Sequence, residues 1–192
     1  MEQLFTDAIF DKIDYKDNLL PAGEYENCQF TNCDFANSNL SSIKFIECRF
    51  TECNLSMVKT VKTVFNDCQF NNCKMLGIRF DQCSEFALSF QFDNCTLNHS
   101  SFYTSKIRNT VFKNSALQEV DFTETDLTSA VIDNCNLADA TFENTILEKA
   151  DLRRSYNYSI DPEKNRVKKA KFSLSAVAGL LGKYQLDIDA KS

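Results

Sequence analysis

Every fifth residue from Phe92 to Leu152 is large and apolar: Phe92, Leu97, Phe102, Ile107, Phe112, Leu117, Phe122, Leu127, Ile132, Leu137, Phe142, Leu147 and Leu152. Two positions before each stands a mostly small residue, among them Cys95, Ser100, Ser105, Thr110, Ala130, Cys135 and Ala150, and the remaining positions are mostly polar. This period excludes the ordinary elements. On an α-helix each fifth residue advances about 500°, so the series would circle the helix and bury nothing as a unit. On a straight strand an odd period sends the series to alternate faces. All these residues stay inside only if the chain turns a corner in every repeat. The small residue and the large one then point inward from a short strand, and the next two residues make the corner. Four corners close a square coil of twenty residues, and such coils stack at the strand spacing of about 4.8 Å. The expectation is an all-β solenoid.

The same frame runs through the N-terminal half: Tyr25, Phe30, Phe35, Leu40, Phe45, Phe50 and Leu55, then Thr60 as the one exception, then Phe65, Phe70, Met75 and Phe80. A twenty-residue period inside the five stacks Phe10, Phe30, Phe50 and Phe70 in one column and Phe5, Tyr25, Phe45 and Phe65 in another. Residues 1–22 follow the frame loosely and read as an irregular cap over the open end. Between Phe80 and Phe92, over residues 81–91, the frame shifts. Two added residues keep Phe92 and Phe112 in the column of Phe70, and three lost would move them to another face, so a small bulge at Ser84–Phe90 is expected. Cysteine occupies the small inward position at Cys28, Cys33, Cys48, Cys53, Cys68, Cys73, Cys95 and Cys135, and at Cys83 if the earlier frame holds there. Used this way it is a small buried apolar residue. The nine thiols are expected to be reduced, which fits a cytosolic setting. The sole histidine, His99, falls on a corner, and zinc, with its preferred ligand sets, is not expected.

The stretch ADATFENTILEKADLR (138–153) resembles the pentapeptide-repeat proteins, whose motif is A(D/N)LXX, and Ala150-Asp151-Leu152 matches it in full. The resemblance implies a right-handed quadrilateral β-helix over residues 1–172. After Leu152 the pentad fades through Tyr156-Asn157-Tyr158 and Asp161-Pro162-Glu163, and Val167 and Phe172 return to it. Residues 173–192 read as a tail. A short C-terminal helix is expected from Leu174, capped by Ser173 and stopped by Gly182, with Leu174, Val177, Leu180 and Leu181 on one face. Strand alternation follows in Tyr184, Leu186 and Ile188. This apolar set must cover its own last coil or meet a second subunit.

No catalytic constellation, phosphate loop or cofactor motif is present, so an enzyme is not expected. No apolar run is long enough for a transmembrane helix, and the acidic first fifteen residues do not suit a signal peptide. Charge is unevenly spread. Residues 116–151 carry nine acids and one base, and residues 153–171 carry seven bases and two acids. Glu119 and Asp139 are twenty apart and stack; Asp121, Glu124, Asp126 and Glu143 fall nearby, so this set is the candidate partner surface. Within the family the chain is most similar to Qnr- and MfpA-type proteins. That likeness implies a rod-shaped homodimer joined through Leu174, Val177, Leu180, Leu181, Tyr184, Leu186 and Ile188. It implies DNA mimicry, binding to type II topoisomerases (DNA gyrase, topoisomerase IV) and protection of them from quinolones. No direct contact with nucleic acid or membrane is expected. Many Qnr proteins carry long projecting loops, and this chain has only the two-residue shift, so a general interaction scaffold of unspecified partner stands as the alternative.

Overall fold

The computed structural model describes residues 3–16, 18–86 and 88–188. It is a β-solenoid with four faces. Face A begins as a four-stranded parallel sheet of Gln3–Thr6, Gly23–Glu26, Lys44–Ile46 and Val64–Asn66. Face B is a seven-stranded parallel sheet of Ile9–Asp11, Gln29–Thr31, Arg49–Thr51, Cys68–Asn71, Phe90–Asp93, Val111–Lys113 and Val131–Asp133. Single bridges carry it on through Asp151 to Lys171. Faces C and D are built from single bridges, Asp14 to Tyr156 on C and, on D, Asn39–Lys59 and Arg79–Ser101–Asp121–Thr141.

The pairing step is twenty residues, as in Phe10 with Phe30 and Phe112 with Ile132. Across the insertion it becomes twenty-two: Gln69 faces Gln91, Lys74 faces Thr96 and Arg79 faces Ser101. The rings form the columns the period requires. Phe10, Phe30, Phe50, Phe70, Phe92 and Phe112 stack at centroid distances of 4.7, 4.8, 4.9, 5.3 and 5.1 Å. Phe80, Phe102, Phe122 and Phe142 stack at 4.6, 5.4 and 5.2 Å. Within the insertion Phe86 is exposed, and Phe90 is already back on the coil, paired with Cys68 and packed on Phe80 and Phe92.

Two details were hidden in the sequence. The second corner residue of nearly every repeat has a positive φ, from Asp7 to Lys169. Of the twenty-seven described non-glycine residues in this conformation, ten are asparagine, which tolerates it best. The small inward residue also does more than fill space. Cys53 Sγ donates to the Phe30 carbonyl (3.3 Å), Thr63 Oγ1 to that of Leu40 (2.7 Å), Thr125 Oγ1 to that of Phe102 (2.7 Å) and Ser155 Oγ to that of Ile132 (2.6 Å). In each case the acceptor is the large residue at the end of the preceding face, one coil back, and at Leu40 and Phe102 the carbonyl also accepts from the amide of its own turn, Ile43 and Ser105. All nine cysteines are buried and free.

The ends differ from the sequence expectation. Gln3–Thr6 and Ile9–Asp11 pair in register with the next coil, so the first coil is regular through Tyr15. The pattern looked loose because Phe5, Ala8, Phe10 and Ile13 are only partly covered, with no coil beneath them. At the other end the helix is a 3-10 helix, Leu174–Leu180, with no side-chain cap from Ser173, whose hydroxyl lies 3.1 Å from that of Ser175. Gly182 does not end the helical region but opens a second 3-10 turn, Gly182–Tyr184. No strand follows over 184–188, where Gln185 turns left-handed and breaks the extended run. Residues 189–192 of the expected tail lie outside the described residues.

Candidate partner-binding face

Face D and its two bordering corners gather most of the expected acids. Glu119 and Asp139 occupy the same corner position in consecutive coils, both exposed and both with positive φ. Asp121 stands at the centre of face D, where Oδ1 accepts a bond from the Thr123 amide (2.9 Å). Glu124 and Glu143 lie on the next corner, exposed. Three carboxylates therefore share one coil and two more the next.

Asp126 does not belong to this set. It lies on face A, which single bridges carry on from Lys106 through Asp126 and Ile146 to Arg166, and is only 5% exposed, with Oδ2 2.7 Å from Arg108 Nε and Oδ1 accepting from the Thr128 hydroxyl and amide. Burial alone would raise its pKa, but these bonds outweigh burial and hold it below the usual carboxylate range. A spacing of two from Glu124 spans a corner, which the linear sequence does not display.

The remaining acids differ in how far they are cancelled. Glu143 pairs with Lys164 across one coil (3.3 Å), and Glu119 lies 3.2 Å from His99 Nδ1. Elsewhere the basic segment folds directly over the acidic one: Arg154 meets Asp133 (3.2 Å), Arg166 meets Glu148 (2.7 Å) and Lys171 meets Asp151 (3.6 Å). These partners are far apart in sequence and adjacent in space. Glu124 and Asp139 hold no ion pair among the described residues. Next to the acids, Arg79, Ser101 and Tyr103 line a shallow hollow of about 480 Å3 with His99, Glu119 and Asp121. Only the bridge order Arg79–Ser101–Asp121, crossing the insertion, could have announced it.

The tail's apolar residues split into two groups. Leu180, with Ala176, packs on the core of the last coil, and the Ile160 amide donates to the Gly179 carbonyl (2.9 Å). A side chain at Gly179 would strike the Tyr158 carbonyl and ring, so glycine permits this close approach. Leu181 is half-buried. Leu174 is 89% exposed, and Val177, Tyr184, Leu186 and Ile188 also face outward. Among the described residues no group of three or more His, Cys, Asp or Glu is placed to hold a metal ion, and no helix is long and apolar enough to cross a membrane.

The pentapeptide repeat region family matches residues 24–90 and 79–152. Two trypsin-treated forms of QnrB1, a plasmid-mediated fluoroquinolone resistance protein, superpose with TM-scores of 0.63 and 0.62. Their identities are 16% and 15%, over 97% and 99% of this chain and 100% of each of theirs. At that identity the likeness is one of fold. Among curated proteins no sequence matches significantly.

Proposed function

This chain belongs to the pentapeptide-repeat family, and from that premise we propose that it is a cytoplasmic, non-enzymatic binding rod. It offers the acidic side of its later coils to the basic DNA-binding saddle of a type II topoisomerase, DNA gyrase or topoisomerase IV. The observation that carries this reading is the placement of Glu119, Asp121 and Glu124 in one coil, with Asp139 stacked on Glu119. Three carboxylates within one coil rise of about 4.8 Å approach the charge density of duplex DNA, one per about 1.7 Å of axis. A rigid narrow rod with such a side suits a surface built to hold DNA. QnrB1, whose fold this chain shares, is described as a fluoroquinolone resistance protein, and protection of the enzyme from quinolones is part of the proposal. The exposed tail residues Leu174, Val177, Tyr184, Leu186 and Ile188 would join two such rods about a two-fold axis.

A supercoiling assay with purified gyrase, with and without ciprofloxacin, tests it. The protein is expected to bind the enzyme and to preserve supercoiling in the presence of the drug. A variant with Glu119, Asp121, Glu124 and Asp139 changed to Lys is expected to lose both effects while melting as a folded rod. Unaltered binding by that variant would falsify the acidic-side mechanism and leave the scaffold reading.

A further inference from the structure

The side of the rod diagonally opposite the acidic corner has the reverse character in its last two described coils. Lys149 and Lys169 hold the same position on the corner between faces A and B in consecutive coils, and Lys168 adjoins them. All three are exposed, and none has a carboxylate partner among the described residues. Stacking like charges at one coil spacing is unfavourable, so this is the reverse of the pairing that Lys44–Glu24 and Lys113–Asp93 show elsewhere.

The neighbouring ion pairs are layered rather than level. Arg153 and Lys171 lie over Asp151, Arg154 over Asp133 and Arg166 over Glu148. The basic side chains are 57–72% exposed and the carboxylates only 20–28%. In each pair the carboxylate is the more covered partner. On face B, Arg153 and Arg154 border a hollow of about 400 Å3 floored by Val131 and Ile132. Sequence bookkeeping, which cancels these acids against these bases, hides the cationic outer layer.

We infer that this side of the last two coils binds the phosphate backbone of nucleic acid. Ammonium groups stacked along the rod at strand spacing suit a continuous polyanion. Arg153 and Arg166 already direct their donor pairs to Asp151 and Glu148, so the three lysines carry the phosphate contact and the arginines add field. A lipid surface is the weaker match. Membrane-surface binding calls for apolar side chains set among the cations, and among the residues of this patch only Val131 is a large exposed apolar one. The surface is independent of the acidic side, so one rod can touch a DNA-binding protein with one side and a DNA segment with the other.

Fluorescence anisotropy of a labelled duplex of about 20 base pairs, titrated with the full chain and no topoisomerase, tests this. Binding is expected at about 50 mM salt and should weaken steeply toward about 200 mM, because each phosphate contact contributes about −0.9 to the slope of log K against log salt. The variant Lys149→Asn, Lys168→Gln, Lys169→Asn suits the left-handed corners and should remain folded by circular dichroism. It is expected to bind at least tenfold more weakly, with a slope shallower by about two to three. The acid-to-Lys variant of the opposite side should still bind. Absence of duplex binding at low salt, equal binding by the triple variant, or binding to phosphatidylserine vesicles but not to the duplex would each overturn the inference.

Discussion

At the residue scale, the inward small position has a polar duty. Thr125 is fully buried and donates to the Phe102 carbonyl. Thr125→Val keeps the volume and removes the donor; the Phe102 carbonyl keeps its bond from the Ser105 amide (2.9 Å), so the cost is that of one net hydrogen bond, about 0.5–1.5 kcal/mol. Thr125→Cys keeps a donor and should cost clearly less in chemical denaturation; equal losses would mean that only volume matters there. The cysteines follow the same logic. Burial pushes the thiols of Cys48, Cys83 and Cys135 and the Tyr15 phenol up to about 12. In the unfolded chain a thiol ionises near about 8.5 and a phenol near about 10. The folded pKa is the higher one, so the stability these groups contribute is complete below about pH 8.5 and is lost as pH rises toward about 12. The melting temperature is therefore expected to be flat at neutral pH and to fall through the alkaline range. Native protein should react negligibly with a thiol reagent at pH 8, and unfolded protein should present all nine thiols. The sequence displayed where these residues point, because period alone decides that. It did not display their hydrogen bonds, because each acceptor belongs to the preceding coil, remote in the chain from its donor.

At the scale of the coil, the register can be tested by neighbours. Phe122 is fully buried and stacked between Phe102 and Phe142, whereas Thr123 begins the corner and is partly exposed. Phe122→Asp would place an unpaired carboxylate in a core one residue wide and should cost several kcal/mol or prevent folding. Thr123→Asp should shift the melting temperature by little. Equal shifts would sink the register. The coils were the most legible part of the chain because each repeat restates the same constraint. The tail was the least legible. Its apolar spacing fits an α-helix, but docking Gly179 against Tyr158 and Leu180 onto the last coil selects a tighter 3-10 turn. Only part of the stripe is then left outward.

At the scale of the molecule, the distribution of charge and of exposed apolar surface decides how the rod is used. The acidic segment could be read from sequence, but its cancellation could not, since the ion pairs join residues of successive coils. The outcome is a rod whose free acids lie around face D and whose outermost cations lie around the corner of faces A and B. Face B runs through nine levels from Ile9 to Lys171, which at about 4.8 Å per rise gives a subunit of about 40 Å. Tail-to-tail association would double this length and bring both acidic sides toward the two-fold axis. Leu174 and Leu180 separate association from capping. Leu174 is almost free of its own subunit, so Leu174→Glu should leave the melting curve of the coils nearly unchanged and yield a particle of single-subunit length in small-angle scattering. Leu180 covers the last coil, so Leu180→Glu should lower stability whether or not two subunits meet. If Leu174→Glu leaves a particle of doubled length intact, the outward apolar group is not the junction. If the unaltered protein already scatters as a single subunit, the acidic side of one rod must suffice for any partner it meets.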